Sequence, residues 1–330
     1  MRILIITQYF WPENFRINDL AKGLVEKGHE VVVLTGIPNY PQGDFYDGYG
    51  YFKNLRQEYQ GVKIFRVPLV PRGNGGKLRL TLNYLSFAFC ASLWGPFLCR
   101  GKFEAIFVFQ TSPVTVGIPA VVLKKLKSAP LLFWVLDLWP ESLEVVGFCR
   151  SSWGVTLVDV LVRWIYRSCD KILVSSKGFV ASIQARGVSE EQILYFPNWV
   201  EPVYREISLK EKTGKFFEDL PRGFRVLFAG NIGEPQDFGT IVAAAERLKP
   251  YHDIHWIIAG DGRMAAWAKT AVSSRGLATH FHFIGKYPSE KMPELFSLAD
   301  VMLVTLKKDP GLSTFVPGKI QSYLACGKTI

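Results

Sequence analysis

Two carboxylates four residues apart, Asp137 and Glu141, directly follow the apolar run LLFWVL. A carboxylate at the end of a buried strand is placed to handle protons or hold a hydroxyl, and Asp137 is also placed to cap the helix that follows. Far downstream, Pro317-Gly318 precedes Lys319 at the entrance of a short helix, IQSYLAC, which Gly327 closes. A lysine in a first helical turn opposes the helix dipole, whereas a lysine beside exposed N–H groups suits an anionic phosphate.

Four further turns follow apolar runs. Glu13-Asn14-Phe15-Arg16 opens a helix, so Arg16 reaches either a phosphate or solvent. Gly230-Asn231-Ile232-Gly233 has the look of a phosphate-approach turn without the full GxGxxG spacing. Gly260-Asp261-Gly262-Arg263 is ordinary Asp-Gly turn chemistry with Arg263 as a second phosphate candidate. Ile284-Gly285-Lys286-Tyr287 offers backbone groups to a planar base.

These turns need a scaffold that places strand ends side by side. Short continuous apolar runs (ILII, VVVL, AIFVF, LLFWVL, ILV, ILYF) alternate with segments of helical period such as FRINDLAKGLVEKG. Continuous rather than alternating apolar strands predict a parallel sheet covered on both faces. The pattern pauses over the charged stretch 201–222 and restarts with VLFAG, HWIIAG, FHFIG and DVMLVTL. The expected fold class is therefore α/β, with two doubly wound, Rossmann-like domains facing a cleft: residues 1–200, a linker at 201–222, and 223–330.

A chain of 330 residues readily fills two cores, and its formal charge of +10 suits anionic partners. The basic residues are spread rather than gathered on one element, and no nucleic-acid module is visible, which excludes nucleic acid as a partner. Five scattered cysteines without a CxxC predict free thiols and no metal site. The N-terminus lacks a signal peptide's long apolar segment, so a cytoplasmic location is expected. Residues 80–99 are charge-free between basic flanks; Gly95-Pro96 is expected to break them and leave a helix too short to cross, so a buried helix or an interfacial one displaying Tyr84, Phe87, Phe89 and Trp94 is favoured over a spanning one.

In order and spacing, several stretches resemble the group 1 retaining glycosyltransferases of GT-B fold. They are MRILIITQYFWPENFRINDLAKGLVEKGHEVVVLTG, VSSKGFVASIQARGVSEEQILYFPNWVE, LFAGNIG, WIIAGDG, FIGKYPSEKMPELFSLADVMLV and YLACGK. The variants DLWPES and PGKIQSYLACGK are similar to the branch that makes bacterial surface polysaccharides, of the N-acetylfucosamine-transferase type.

The resemblance implies sugar transfer from a nucleotide diphosphate donor to an acceptor hydroxyl with retained configuration. It needs no metal or other cofactor if basic groups carry the leaving diphosphate. The implied acceptor is a lipid-linked glycan, with peripheral contact at the cytoplasmic membrane face. Position by position, the glycine-rich donor loop falls on Glu13 to Arg16, and the diphosphate-gripping Arg and Lys fall on Asn231 and Gln236. That leaves Lys319, with Arg263 in reserve, for the diphosphate. A histidine common in relatives falls on Leu136, so Asp137 is the polar group expected near the reacting sugar. The paired glutamates fall on Thr314 and Ser322, and Ile284 to Tyr287 match the segment cupping the base.

Two alternatives carry the same features: a nucleotide-sugar epimerase of this architecture, and a catalytically silent donor-binding protein. The resemblance also implies a strand and further helices beyond ACGK, so a chain ending at Ile330 is expected to have an unfinished second sheet.

Overall fold

The computed structural model describes residues 1–145, 152–204, 220–309 and 311–330. The chain forms two compact units, Met1–Pro197 and Asn198–Ile330. Of the expected linker, residues 205–219 lie outside the described residues, as does Cys149.

In the first unit β1 (Arg2–Ile6) leads through α1 (Ile17–Glu26) to β2 (Glu30–Gly36), then to the hairpin of β3 (Arg56–Tyr59) and β4 (Val62–Val67). The long α2 (Lys77–Leu98) leads to β5 (Ala105–Gln110), α3 (Gly117–Lys127) and β6 (Leu131–Val135). Then come α4 (Glu141–Val145), α5 (Ser152–Arg167), β7 (Lys171–Val174), α6 (Val180–Gln184) and β8 (Ile193–Tyr195). The sheet order is β3-β4-β2-β1-β5-β6-β7-β8, parallel except for β3. The central strands are buried on both faces, as their unbroken apolar runs require.

The second unit runs β9 (Phe224–Ala229), α7 (Phe238–Arg247), β10 (Ile254–Ala259), α8 (Ala265–Ser274) and β11 (Phe281–Gly285). It continues with α9 (Met292–Ser297), β12 (Val301–Met302) and α10 (Lys319–Ala325). The order β11-β10-β9-β12 is fully parallel. Val226 and Phe228 pack on one face of this sheet, Leu227 and Ala229 on the other, so both faces are roofed.

In each sheet the chain winds outward from one strand in both directions. That strand is β1 in the first unit, with β2 and β5 beside it, and β9 in the second, with β10 and β12. The crevices at the carboxyl ends of β1 and β9 are where such sheets leave room for ligands.

One expectation is corrected. The helix over 80–99 is not broken at Gly95-Pro96; α2 continues through both. A proline two residues from a helix end forfeits a single N–H bond, and the Cys99 amide still donates to the Gly95 carbonyl at 2.9 Å. Gly95 admits close packing, since a Cβ there would lie 2.9 Å from Leu34 Cδ2. Phe87 is fully buried and Tyr84 half-buried, whereas Phe89 and Trp94 are exposed. Among the described residues no helix is long and apolar enough to cross a membrane.

Candidate active site

At the carboxyl end of β9, two glycine turns are stapled together. The Gly230 amide donates to Ala259 O, Gly260 to Gly285 O, and Ile232 to Asp261 O. Gly260 adopts φ +146°, and a Cβ on it would meet Gly230 O at 1.8 Å, so only glycine fits. The predicted turns 230–233, 260–263 and 284–287 therefore form one ledge.

α10 docks on this ledge through Tyr323. Its buried phenol accepts from the Ala229 amide and donates to the Ala229 carbonyl, both at 3.1 Å. One helical turn earlier, on the same face, stands Lys319. Its Nζ is buried, 3.8 Å from the centre of the Phe228 ring, and has no hydrogen-bond partner. Burial alone pushes this ammonium down from 10.5 to about 8. Gly230 lies directly below: a Cβ there would be 3.3 Å from Nζ. Tyr323 was not singled out from sequence; the signal was an aromatic residue four positions after the lysine.

The other donor-side candidates vary. Asn231 and Arg263 are exposed at the ledge, while Gly233 is buried, with its amide donating to Gln236 Oε1 at 3.2 Å. Ile284 and Tyr287 pack partly against the core that includes Phe296 of α9 and Tyr323 of α10, and exposed Lys286 reaches Asp261 at 3.8 Å. Thr314 donates to Gly311 O, and Ser322 is buried inside α10's docked face.

In the first unit Asp137 follows β6 at the sheet's crevice. Its carboxylate accepts from the Ser142 hydroxyl and from Trp139 Nε1 at 3.2 Å, while its carbonyl accepts from Gln110 Nε2 at 3.0 Å. Burial pushes the Asp137 carboxyl up to about 6, against the downward pull of the hydroxyl and indole bonds. Through Ser142 it also ties down the first turn of α4. Gln8 and Gln110, at the ends of β1 and β5, each bury a side-chain carbonyl oxygen that has no hydrogen-bond partner. Glu141 spends both oxygens on Arg186, at 3.0 and 3.1 Å, and also accepts from Ser182.

The Glu13 to Arg16 turn holds a feature not evident in sequence. Glu13 is fully buried, its carboxylate accepting from the amides of Phe10, Asn39 and Tyr40 at 3.2, 2.9 and 2.7 Å. Burial pushes it up to about 7 despite these three bonds. Asn14 is exposed, and Arg16 stands at the head of α1. Around them Tyr9, Phe15 and Tyr40 cluster with centroids 5.2 to 5.5 Å apart, and the Arg72 guanidinium lies 4.9 Å from the Tyr40 ring. Glu13 thus organises the loop instead of facing a ligand. Replacing Glu13 by Ala strands the buried amides of Phe10 and Asn39 and the part-buried amide of Tyr40, and is expected to cost about 2–3 kcal/mol in urea unfolding; an unchanged midpoint would contradict this role.

Two Rossmann-like units, each a parallel sheet wound outward from one central strand with polar groups beyond its strands' carboxyl ends, define a two-domain α/β architecture. Residues 14–199 match the glycosyl transferase 4-like domain, and residues 213–314 match the glycosyl transferases group 1 family. The chain belongs to this glycosyltransferase family and is a glycosyltransferase. It is 25% identical over 338 residues to the putative colanic acid biosynthesis glycosyl transferase WcaI of Escherichia coli, across 99% of this chain and 82% of that protein. It is 27% identical to the probable glycosyltransferase WbjE of Pseudomonas aeruginosa, across 79% of this chain and 64% of WbjE. Among solved structures, Anabaena HepE in complex with UDP and glucose superposes with a TM-score of 0.67 at 16% identity, over 99% of this chain and 79% of HepE. That likeness supports a GT-B fold.

Proposed function

We propose that the chain transfers a sugar from a nucleotide diphosphate sugar to a hydroxyl of a lipid-linked glycan, with retained configuration, in bacterial surface-polysaccharide synthesis. The observation that carries this reading is Lys319, a buried ammonium without a hydrogen-bond partner at the carboxyl end of β9. A buried cation lacking a counter-charge is costly to the free protein and suits an anionic ligand. A diphosphate against Lys319 would supply that charge, with exposed Arg263 at its outer side. The same groups would stabilise the diphosphate as it leaves, a role that elsewhere falls to a metal. UDP in HepE and the polysaccharide role in WcaI's name agree with this chemistry.

On the acceptor side, the outer part of the aromatic cluster, exposed Tyr40 with half-buried Phe15 held on buried Tyr9, would offer a face for a sugar ring. Asp137 would hold the reacting hydroxyl from the crevice of the first sheet. The lipid-linked acceptor puts the enzyme at the cytoplasmic face of the membrane, bound peripherally.

The test is incubation with UDP-, GDP- and dTDP-sugars, with and without a lipid-linked acceptor, following both nucleotide release and product. Acceptor-dependent transfer is expected; failure to bind any of the donors would sink the proposal. Sugar epimerised without acceptor would establish the epimerase alternative. Because Asp137 titrates near 6, transfer should fall as pH drops through about 6, and Asp137→Asn should remove that limb along with most of the rate.

A further inference from the structure

We propose that the outward face of the α2–α3–α5 layer docks on a lipid bilayer rich in anionic headgroups, through two parallel apolar ridges. The proposal rests on the reading of a membrane-bound acceptor and assigns the surface that meets the membrane.

The crossovers from β4 to β5, β5 to β6 and β6 to β7 all advance the same way along the sheet. Right-handed connections therefore put α2, α3 and α5 on one face, and α3 touches both of its neighbours. Each helix buries an inner side. For α2 that side is Phe87, Ala88, Ala91 and Gly95; for α5 it is Val162, Ile165 and Tyr166.

The outer side should then be polar, and it is not. Along α2 the exposed residues are Leu78, Leu82, Leu85, Phe89, Leu93 and Phe97, spaced by fours and a three, which is one helical ridge. Trp94 flanks it, 50% exposed, and Phe89 is 68% exposed. Along α5 the same spacing recurs in Trp153, Leu157, Val160 and Trp164, with Trp153 75% exposed. Exposed Leu126 of α3 lies between the two. Apolar ridges on neighbouring helices make a contiguous patch of the kind soluble proteins avoid unless something covers it.

Charge identifies what covers it. The three helices carry Lys77, Arg79, Lys124, Lys125, Lys127, Arg163 and Arg167. Their one acid, Asp159, is paired with Arg163 and Arg186 at 2.6 and 2.8 Å, and Lys124 is paired with Asp170 at 2.7 Å; with these pairs set aside the helices still carry only positive charge. A second copy docked by two-fold symmetry would set these cations against their own kind. An anionic bilayer reverses the sign of the partner, and aromatic side chains with basic neighbours are the composition of a helix lying in the interface. Neither ridge belongs to a helix able to span, so the contact lies on the surface.

The experiment is sedimentation of the full chain with vesicles of phosphatidylcholine alone or containing 30% phosphatidylglycerol (about 0.15 M salt), without donor or acceptor. Binding to the anionic vesicles is expected. Phe89→Ser/Trp94→Ser on α2 and Trp153→Ser/Trp164→Ser on α5 should each weaken it on the order of tenfold. Lys125→Glu, at an exposed lysine of α3 outside both ridges, should weaken the anionic preference. All variants should keep nucleotide-diphosphate binding, so that a failed docking surface and a failed transferase reading are told apart. Absence of binding to anionic vesicles, or binding that survives both ridge variants, would overturn the proposal. So would a concentration-dependent dimer in solution that the ridge variants dissociate.

Discussion

Replacing Lys319 by methionine is expected to weaken nucleotide-diphosphate binding by about 100-fold or more while making the unliganded protein more stable. The two effects share one cause. The ammonium is buried against Phe228 and Gly230 with no hydrogen-bond partner, so an apolar side chain of similar shape removes a desolvation cost of about 1–3 kcal/mol. The anion that would have repaid that cost then loses its counter-charge. The pH dependence follows from the depressed value of about 8. Between about 8 and the unfolded value of 10.5, the unfolded chain holds a proton that the folded protein does not. Stability of the free protein therefore rises with pH across this window, and the methionine variant should not show that rise. Diphosphate affinity should fall above pH about 8 as the lysine loses its proton. Calorimetric titration and thermal melts of both proteins check this; a variant that is less stable and binds normally would remove Lys319 from the site.

Gly260→Ala is expected to destabilise the second unit by more than about 4 kcal/mol. The new Cβ would sit 1.8 Å from Gly230 O and 2.9 Å from Gly230 C, with φ at +146°. Both clashing atoms are backbone, so relief requires opening the β9–β10 staple that shapes the ledge under Lys319. Gly23→Ala in α1 is the control: nothing lies within 4 Å of its Cβ position, and a gain of about 0.5–1 kcal/mol is expected from helix propensity. Urea unfolding followed by circular dichroism measures both. Equal midpoints for the two variants would show that the ledge tolerates a side chain and that its close packing is incidental.

The parallel core was legible because its strands are buried on both faces, and the runs ILII, LLFWV and HWIIA announce that directly. The β3–β4 hairpin was missed because RQEY is a polar edge strand and VKIFRV alternates; the Gln60-Gly61 turn, both residues at positive φ, was its available signal. The helix break at Gly95-Pro96 was expected from local rules, and packing against Leu34 and Leu123 overrode them. Lys319 was readable because a helix entrance is a local pattern. The bond of Tyr323 to Ala229 and the Glu141–Arg186 pair join residues 94 and 45 positions apart, and no local pattern encodes them. The resemblance puts Glu13 in the donor loop by position; only the folded loop shows three amides converging on its carboxylate.

The order of strands also sets a schedule for synthesis. β1 pairs with β2 within the first 36 residues, but its other edge waits for β5, which ends at Gln110. At ribosomal speeds the stretch from Val67 to Gln110 takes on the order of 2–9 s to appear. If β1 and β2 pair as they emerge, Ile3 to Ile6 would present an open strand edge throughout that interval, the kind of template on which strands of other chains add. The segment emerging meanwhile is α2, with one apolar side for the sheet and another for its surroundings. Early capture of that helix, by the nascent sheet or by a lipid surface, would shield the nascent chain while its central strand is half paired.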